Sequence, residues 1–228
     1  MDYRGDLQTD WVRRHQTALY KRLAPIYAAW VRLGSFGAFP RLYRQACAAL
    51  ELAPGDIVLD MCCGTGELFP YLAEAVTESG HIVGCDQSPA MLAQAARRIA
   101  RHGWHNITLV ESDALAFRSP RPLNAAIFSI CLSAIPWREA VLDHVITVLP
   151  SGARIVVVDS LCLHDQVWRC IPNLYNRVKG RVIGADPDCD LAEQLRQRLD
   201  GIETVISTGG IYSSFRGRTR NGDRKPAR

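Results

Sequence analysis

One short stretch, VLDMCCGTGE, carries residue types that can do chemistry. It combines Asp60, the adjacent thiols of Cys62 and Cys63, and two glycines, Gly64 and Gly66. Such a set could hold a metal ion, form a redox pair, cradle a phosphate or line the pocket of another cofactor. Each of these sites requires different partners at a different spacing along the chain.

The other cysteines argue against a metal or redox site. The eight cysteines are scattered along the chain, most of them in apolar runs, at positions 47, 62, 63, 85, 131, 162, 170 and 189. No C-x-x-C occurs, and no cysteine and histidine group has zinc-ligand spacing. With 228 residues, 48% of them hydrophobic, the chain can form an ordinary core without disulfides. We therefore expect reduced thiols and no metal.

A phosphate-binding loop also fits poorly. The dinucleotide fingerprint G-x-G-x-x-G needs a glycine where this chain has Phe69, and the G-K-[ST] of a phosphate loop is absent. Asp60 would repel a pyrophosphate but could hold an ammonium group. Asp86 ends the next strand about 20 residues after Gly66, where an acid can bind both hydroxyls of a ribose. The stretch favours a cofactor with a ribose and a cationic amino-acid end.

Alternating strands and helices must position this loop. Five apolar runs without polar alternation indicate parallel strands covered on both faces. These runs lie within residues 56–61, 81–86, 107–113, 123–130 and 150–160, with helical patterns between them. Two β-rich runs around Gly209 and Gly210 predict an antiparallel hairpin. We expect an α/β, Rossmann-like fold: a seven-stranded mixed sheet of five parallel strands and this hairpin, with helices on both faces.

The chain divides into three segments by composition. Residues 1–50 predict a helical extension that forms a lid, with breaks near Pro25 and between Gly34 and Pro40. Residues 51–217 form the cofactor-binding core, and residues 218–228 a basic tail that we expect to be disordered. The net charge is only +4, and much of it lies at this end, so no nucleic-acid partner is expected. The N-terminus has no apolar signal stretch, which favours a cytoplasmic protein.

Three motifs in order resemble those of the class I S-adenosylmethionine (SAM) methyltransferases. VLDMCCGTGE is similar to their first motif, GCDQSPAML to the second and ESDALAF to the third. The resemblance covers roughly residues 17 to 160 and is nearest to the ubiquinone/menaquinone-type enzymes, through LYKRLAPIYAAW and LPSGARIVVVDS. The departure is Cys62, where the first motif glycine normally lies. Because a cysteine is small, we expect the turn to survive.

The resemblance implies SAM as the cofactor, with S-adenosylhomocysteine (SAH) as the product, and it assigns residues to bind it. Asp60 and the backbone of Gly64, Thr65 and Gly66 would line the amino-acid end, and Asp86 would bind the ribose. The other implied contacts are Cys62 near the methionine part, Gln87 and Met91 beside the adenine, Asp113 and Ala114 at its amino group, Ser129 near the sulfonium, and Tyr20 and Tyr27 as a lid.

The sequence does not single out a catalytic group. His164, Asp165 and Tyr20 are the candidates, yet a solvated loop pair and a packing tyrosine explain them equally well. Likewise, Asp60 could merely cap the following helix. The acceptor should lie between the N-terminal helices and the segment after the fifth strand, whose Trp, Tyr, Ile and Val suit a hydrophobic or aromatic substrate.

The resemblance leaves the acceptor and two other functions open. A quinone-type ring, a lipid amine such as phosphatidylethanolamine and a soluble natural product all fit as acceptors. The basic, aromatic N-terminal helix also suits contact with a membrane surface, although packing on the core explains it as well. The alternatives to methyl transfer are a protein that binds SAM or SAH without transfer, and a nicotinamide-dependent oxidoreductase.

Overall fold

The computed structural model describes residues 38–162, 170–208 and 211–220, together with Leu19 and Arg22. Seven strands form one sheet in the order β3-β2-β1-β4-β5-β7-β6. Their bounds are β1 Ile57–Met61, β2 His81–Asp86, β3 Ile107–Glu111, β4 Ala125–Ser129, β5 Arg154–Asp159, β6 Leu199–Thr208 and β7 Tyr212–Thr219. The first five strands pair in parallel, and β7 runs antiparallel to both β5 and β6. This confirms the predicted mixed sheet.

Six α-helices lie within the described residues. They are α1 Ala38–Ala49, α2 Phe69–Val76, α3 Pro89–His102, α4 Arg138–Val148, α5 Cys170–Ile183 and α6 Leu191–Arg198. Helix α3 is capped at its start: Ser88 accepts a hydrogen bond from the Met91 N–H at 3.4 Å, and Pro89 occupies the first turn. Among the described residues, no helix is both long and apolar enough to cross a membrane.

Alternation along the strands builds a core on each face of the sheet. On β1, Leu59 and Met61 join the hydrophobic cluster on one face, and Val58 joins the cluster on the other. The same alternation places Asp60 on the face of Val58, where it is buried. The strand therefore carries a carboxylate into a position that its period would normally fill with an apolar side chain.

Two boundaries differ from those predicted. Helix α1 begins at Ala38, so Pro40 lies inside its first turn, where a missing N–H costs nothing, rather than in a break before it. Strand β7 extends to Thr219 and pairs Arg218 with Arg154, so it passes the predicted start of the tail at residue 218.

Candidate functional site

A cleft lies at the carboxyl ends of the parallel strands, where open α/β sheets bind ligands. The registers Met61↔Cys85 and Met61↔Phe128 bring the ends of β1, β2 and β4 level with one another. The lining residues are Met61, Cys62, Gly64, Cys85, Asp86, Gln87, Ser88, Met91, Ser112, Asp113, Ala114, Ser129, Ile130, Cys131, Ala134, Ile135, Pro136 and Trp137.

The turn after β1 keeps the shape of a glycine loop in spite of Cys62. Cys62 has φ 60°, in the left-handed region that glycine prefers, and Gly64 follows at φ 54°. A Cβ at Gly64 would point into open space, whereas one at Gly66 would lie 2.5 Å from the Phe69 ring. Gly66 is thus required for packing, and Gly64 leaves its backbone open to a ligand.

Asp86 joins the end of β2 to this turn. One carboxylate oxygen accepts a hydrogen bond from the Gly64 N–H at 2.9 Å, and the other accepts one from the Ser88 N–H at 2.8 Å. Burial raises the pKa of Asp86, while these backbone donors lower it. Each oxygen retains a lone pair for a ligand hydroxyl, so the arrangement suits a ribose.

Asp60 is buried without a partner. Its side chain is 1% exposed, and neither carboxylate oxygen has a hydrogen-bond partner among the described residues. Burial, followed by the nearby charge of Asp86, raises its pKa well above the usual range. Buried carboxylates in proteins are normally hydrogen-bonded or paired with a cation. Asp60 is therefore suited to bind a cationic ligand.

The third motif forms another wall of the cleft. Asp113 follows β3 and accepts a hydrogen bond from the Leu115 N–H at 2.9 Å, which holds the carboxylate within its own turn. Ala114, Gln87 and Met91 lie on the same cleft. Together they form a half-polar slot of the kind that a flat heterocycle can occupy.

The end of β4 forms the floor and contains a strained residue. Ile130, directly after Ser129, has φ 55°, a conformation that a β-branched residue rarely adopts. Its N–H donates to the Val158 carbonyl at 2.6 Å, which holds the backbone in place. Such strain is found mainly at functional sites. Pro136 and Trp137 continue the wall on the apolar side of the cleft.

Eleven of the predicted site residues fall within the described structure, and they separate into two groups. Cys62, Gly64, Asp86, Gln87, Met91, Asp113, Ala114 and Ser129 line the cleft. Asp60, Thr65 and Gly66 do not, and Thr65 donates to Glu67 at 3.1 Å on the outer side of the turn. The lid and catalytic candidates Tyr20, Tyr27, His164 and Asp165 lie outside the described residues.

The eight lining residues among these eleven come from the turn after β1, the end of β2 and the start of α3, the turn after β3, and the end of β4. The sequence missed Ile130, Cys131 and Trp137, which line the same cleft. Their position in the sequence could have identified them, because they follow β4 at the edge of the sheet where the other site residues lie. A side-chain hydrogen bond with Cys62, followed by burial, raises the pKa of Cys131.

A second polar cluster, behind the floor at the end of β5, was also missed. Asp159 is fully buried and accepts hydrogen bonds from the Ser133 hydroxyl at 2.6 Å and the Ser160 N–H at 2.7 Å. Lys179 of α5 donates to the Ser160 hydroxyl at 2.7 Å and lies 5.0 Å from the centre of the Tyr212 ring. Burial lowers the pKa of Lys179 to about 8, against a smaller opposing effect of Asp159.

Comparison with known proteins agrees with this geometry. A methyltransferase domain family matches residues 58–152. The chain is 34% identical over 164 residues to a 2-phytyl-1,4-naphtoquinone methyltransferase of Synechococcus elongatus, covering 69% of this chain and 68% of the relative. It is 24% identical over 167 residues to a demethylmenaquinone methyltransferase of Listeria monocytogenes, covering 73% of this chain and 70% of the relative.

A solved structure extends the likeness of fold along most of the chain. The N-methyltransferase NodS of Bradyrhizobium japonicum, in complex with SAH, superposes with a TM-score of 0.68 at 14% identity. The match covers 91% of this chain and all of that one. The fold, the cleft and these relatives define a class I SAM-dependent methyltransferase. This chain belongs to that family, and its cofactor is SAM.

Proposed function

We propose that the protein transfers a methyl group from SAM to a hydrophobic, quinone-type aromatic ring. The assignment of the cofactor rests mainly on Asp60, whose buried carboxylate has no hydrogen-bond partner among the described residues. An ammonium group is the natural partner for such a carboxylate, because it would satisfy both the charge and the hydrogen bonds. SAM carries an ammonium at its amino-acid end, so the site fits this cofactor.

The remaining cleft residues fit the other parts of the same molecule. Asp86 would hold the ribose hydroxyls with lone pairs that its backbone donors leave available. Asp113 and Ala114 would border the adenine, and Gly64 would let the backbone approach the ligand closely. When bound, SAM supplies an electrophilic methyl group on a positively charged sulfur. The chain's part is to fix the cofactor and to exclude water from the acceptor.

The wall beyond the floor supports an apolar acceptor. Ile130, Ile135, Pro136 and Trp137 give this side of the cleft an apolar, partly aromatic surface. Two relatives are named for naphthoquinone-type substrates, which are flat, apolar rings. Both facts favour a quinone-type ring over a lipid amine.

The ionisable groups of the cleft bear on how the acceptor is activated. Among the described lining residues these groups are carboxylates and thiols, and none is an imidazole or an ammonium. Burial raises the pKa values of Asp86 and of the Cys85 thiol, and the backbone hydrogen bonds to Asp86 oppose that effect. An electron-rich reduced ring with an ionised hydroxyl needs little help from a base. Positioning is then the main task of the protein.

The first test is calorimetric titration with SAH, followed by transfer of labelled methyl groups from SAM. Saturable SAH binding should be weakened at least about tenfold by Asp86→Ala, because the ribose loses charge-assisted hydrogen bonds. Glu111→Ala is the matched control, since this exposed acid ends the neighbouring strand outside the cleft. Labelled methyl should then appear on a reduced demethyl-naphthoquinone and not on phosphatidylethanolamine.

The results separate the two parts of the proposal. A folded protein that does not bind SAH would contradict the assignment of the cleft. Binding of SAH with transfer to phosphatidylethanolamine would overturn the quinone acceptor alone. Binding without transfer to any quinol, phenol or lipid amine would favour a protein that binds SAM without methylating.

A further inference from the structure

Helix α5 presents apolar side chains to solvent. Ile171 is 75% exposed and Val178 is 54% exposed. Five of the seven exposed large hydrophobic residues in the described structure belong to this helix: Ile171, Leu174, Tyr175, Val178 and Val182. Their spacing of three and four residues places them along one face. We call this face the α5 stripe.

The opposite face fixes the helix in this orientation. The Asn176 side-chain amide donates to the carbonyls of Leu161 and Ile211 at 2.9 and 3.0 Å. Lys179 reaches the Ser160 hydroxyl, and at Gly180 a Cβ would lie 2.8 Å from the Ala185 carbonyl oxygen. Because the inward face is polar and closely packed, α5 cannot roll to bury its stripe. The exposure is built into the fold.

The charge on α5 is positive. Residues 170–183 contain three basic residues and no acid. Arg177 pairs with Asp188 at 2.9 Å, and Lys179 is largely buried. Arg181 is exposed beside the stripe, and within the described residues no carboxylate lies within ion-pair distance of it. An apolar stripe bordered by a cation complements a surface of anionic headgroups above an apolar layer.

The position of α5 connects the stripe to the cleft. Its polar face is attached to Ser160 and Leu161, which directly follow β5. The carboxyl end of β5 lies at the same edge of the sheet as the floor residue Ser129, through the register Ser129↔Val158. A surface contacted by the stripe would therefore lie on the acceptor side of the molecule.

We propose that the α5 stripe docks the protein on a lipid surface that contains anionic headgroups. The inference rests on the proposed function to this extent: a quinone with an apolar tail would be dissolved in that surface. A single helix face bordered by Arg181 provides limited buried area and limited charge attraction. Binding should therefore be reversible and should strengthen with anionic lipid.

Vesicle co-sedimentation of the full chain tests the docking. Vesicles of phosphatidylcholine with an equal amount of phosphatidylglycerol should bind the protein at least about tenfold better than phosphatidylcholine alone. Val178→Asp should reduce that binding at least about tenfold, because it places a charge in the centre of the stripe. Val205→Asp is the matched control, since Val205 is an exposed valine (37%) on β6. Thermal unfolding of both variants checks that they fold.

Three outcomes would overturn the proposal. The first is no binding of the full chain to the anionic vesicles. The second is binding that Val178→Asp and Val205→Asp affect equally. The third is that the protein does not bind vesicles but forms a concentration-dependent dimer, and that Val178→Asp abolishes this dimer. The stripe would then be covered by a second copy of the chain. SAH titration of the same samples keeps this test separate, because loss of cofactor binding would contradict the proposed function and leave vesicle binding unaffected.

Discussion

Two carboxylates at strand ends, Asp60 on β1 and Asp159 on β5, share their burial but not their partners. Both are fully buried, and in both burial raises the pKa. Asp159 accepts hydrogen bonds from the hydroxyl and N–H of Ser133 and from the N–H of Ser160, at 2.6 to 2.9 Å. Asp60 accepts none from the described residues. The chain satisfies one carboxylate and leaves the other for a ligand.

This difference separates a structural acid from an acid that we propose binds the cofactor. The donors to Asp159 connect β5 to the short 3₁₀ turn Leu132–Ala134 after β4, so that carboxylate stabilises the floor of the cleft. Within the described part of the chain, Asp60 makes no hydrogen bond that would offset its desolvation. Its burial is a cost to the free protein, and a bound cation would offset that cost.

Removing the satisfied acid should have the largest effect on stability. Asp159→Ala leaves the Ser133 and Ser160 donors buried without an acceptor, so we expect a loss of about 3–4 kcal/mol in the free energy of unfolding. Chemical denaturation measures this loss. A loss below about 1 kcal/mol would contradict the structural role of Asp159, and Asp143→Ala, an exposed acid on α4, is the control.

Removing the charge of Asp60 should lower the affinity for SAH without lowering the stability of the free protein. Asp60→Asn keeps the shape but removes the charge, so SAH affinity should fall about a hundredfold, or about 2.7 kcal/mol. The free protein should be as stable as the wild type or more stable by about 1 kcal/mol, because an uncompensated buried charge is gone. Calorimetry and thermal unfolding of the same samples give both values. Retained SAH affinity would show that Asp60 does not bind the ammonium.

The fold and most of the cleft follow from local sequence signals. Apolar runs between helical patterns predicted the sheet, and Asp86 could be assigned because it ends a strand at a fixed distance from the glycine turn. The stripe on α5 could not be predicted in the same way. The spacing of Leu174 and Val178 is that of a buried helix face, and only the structure shows that Asn176 and Lys179 turn the polar face inward.

The polar network around Asp159 was equally hidden, because its members are distant in sequence. Lys179 lies 20 residues beyond Asp159, and Ser133 lies 26 residues before it. No periodic pattern connects such groups. Their association depends on the parallel pairing of β4 with β5 and on the return of α5 over the strand ends.

Lys179 should make stability depend on pH near this network. Its pKa is lowered to about 8 from 10.5, so between these values the unfolded chain binds more protons than the folded one. Stability should therefore rise with pH over that window, by about 2–3 kcal/mol at most. Denaturation at about pH 7.5 and about pH 10 should show this rise in the wild type and no rise in Lys179→Met. Parallel curves for the two proteins would contradict the burial of the ammonium.

The smallest expected effect concerns the strained backbone of Cys62, in the turn after β1. Cys62 holds φ 60° at the position where its family normally has glycine, so Cys62→Gly should relieve backbone strain. Glycine also costs more chain entropy on folding, which leaves a net gain of about 0.5–1 kcal/mol. SAH affinity should not change if the turn serves only to shape the backbone. A clear fall in affinity, measured beside Cys170→Gly as an exposed control, would show instead that the Cys62 thiol contacts the cofactor.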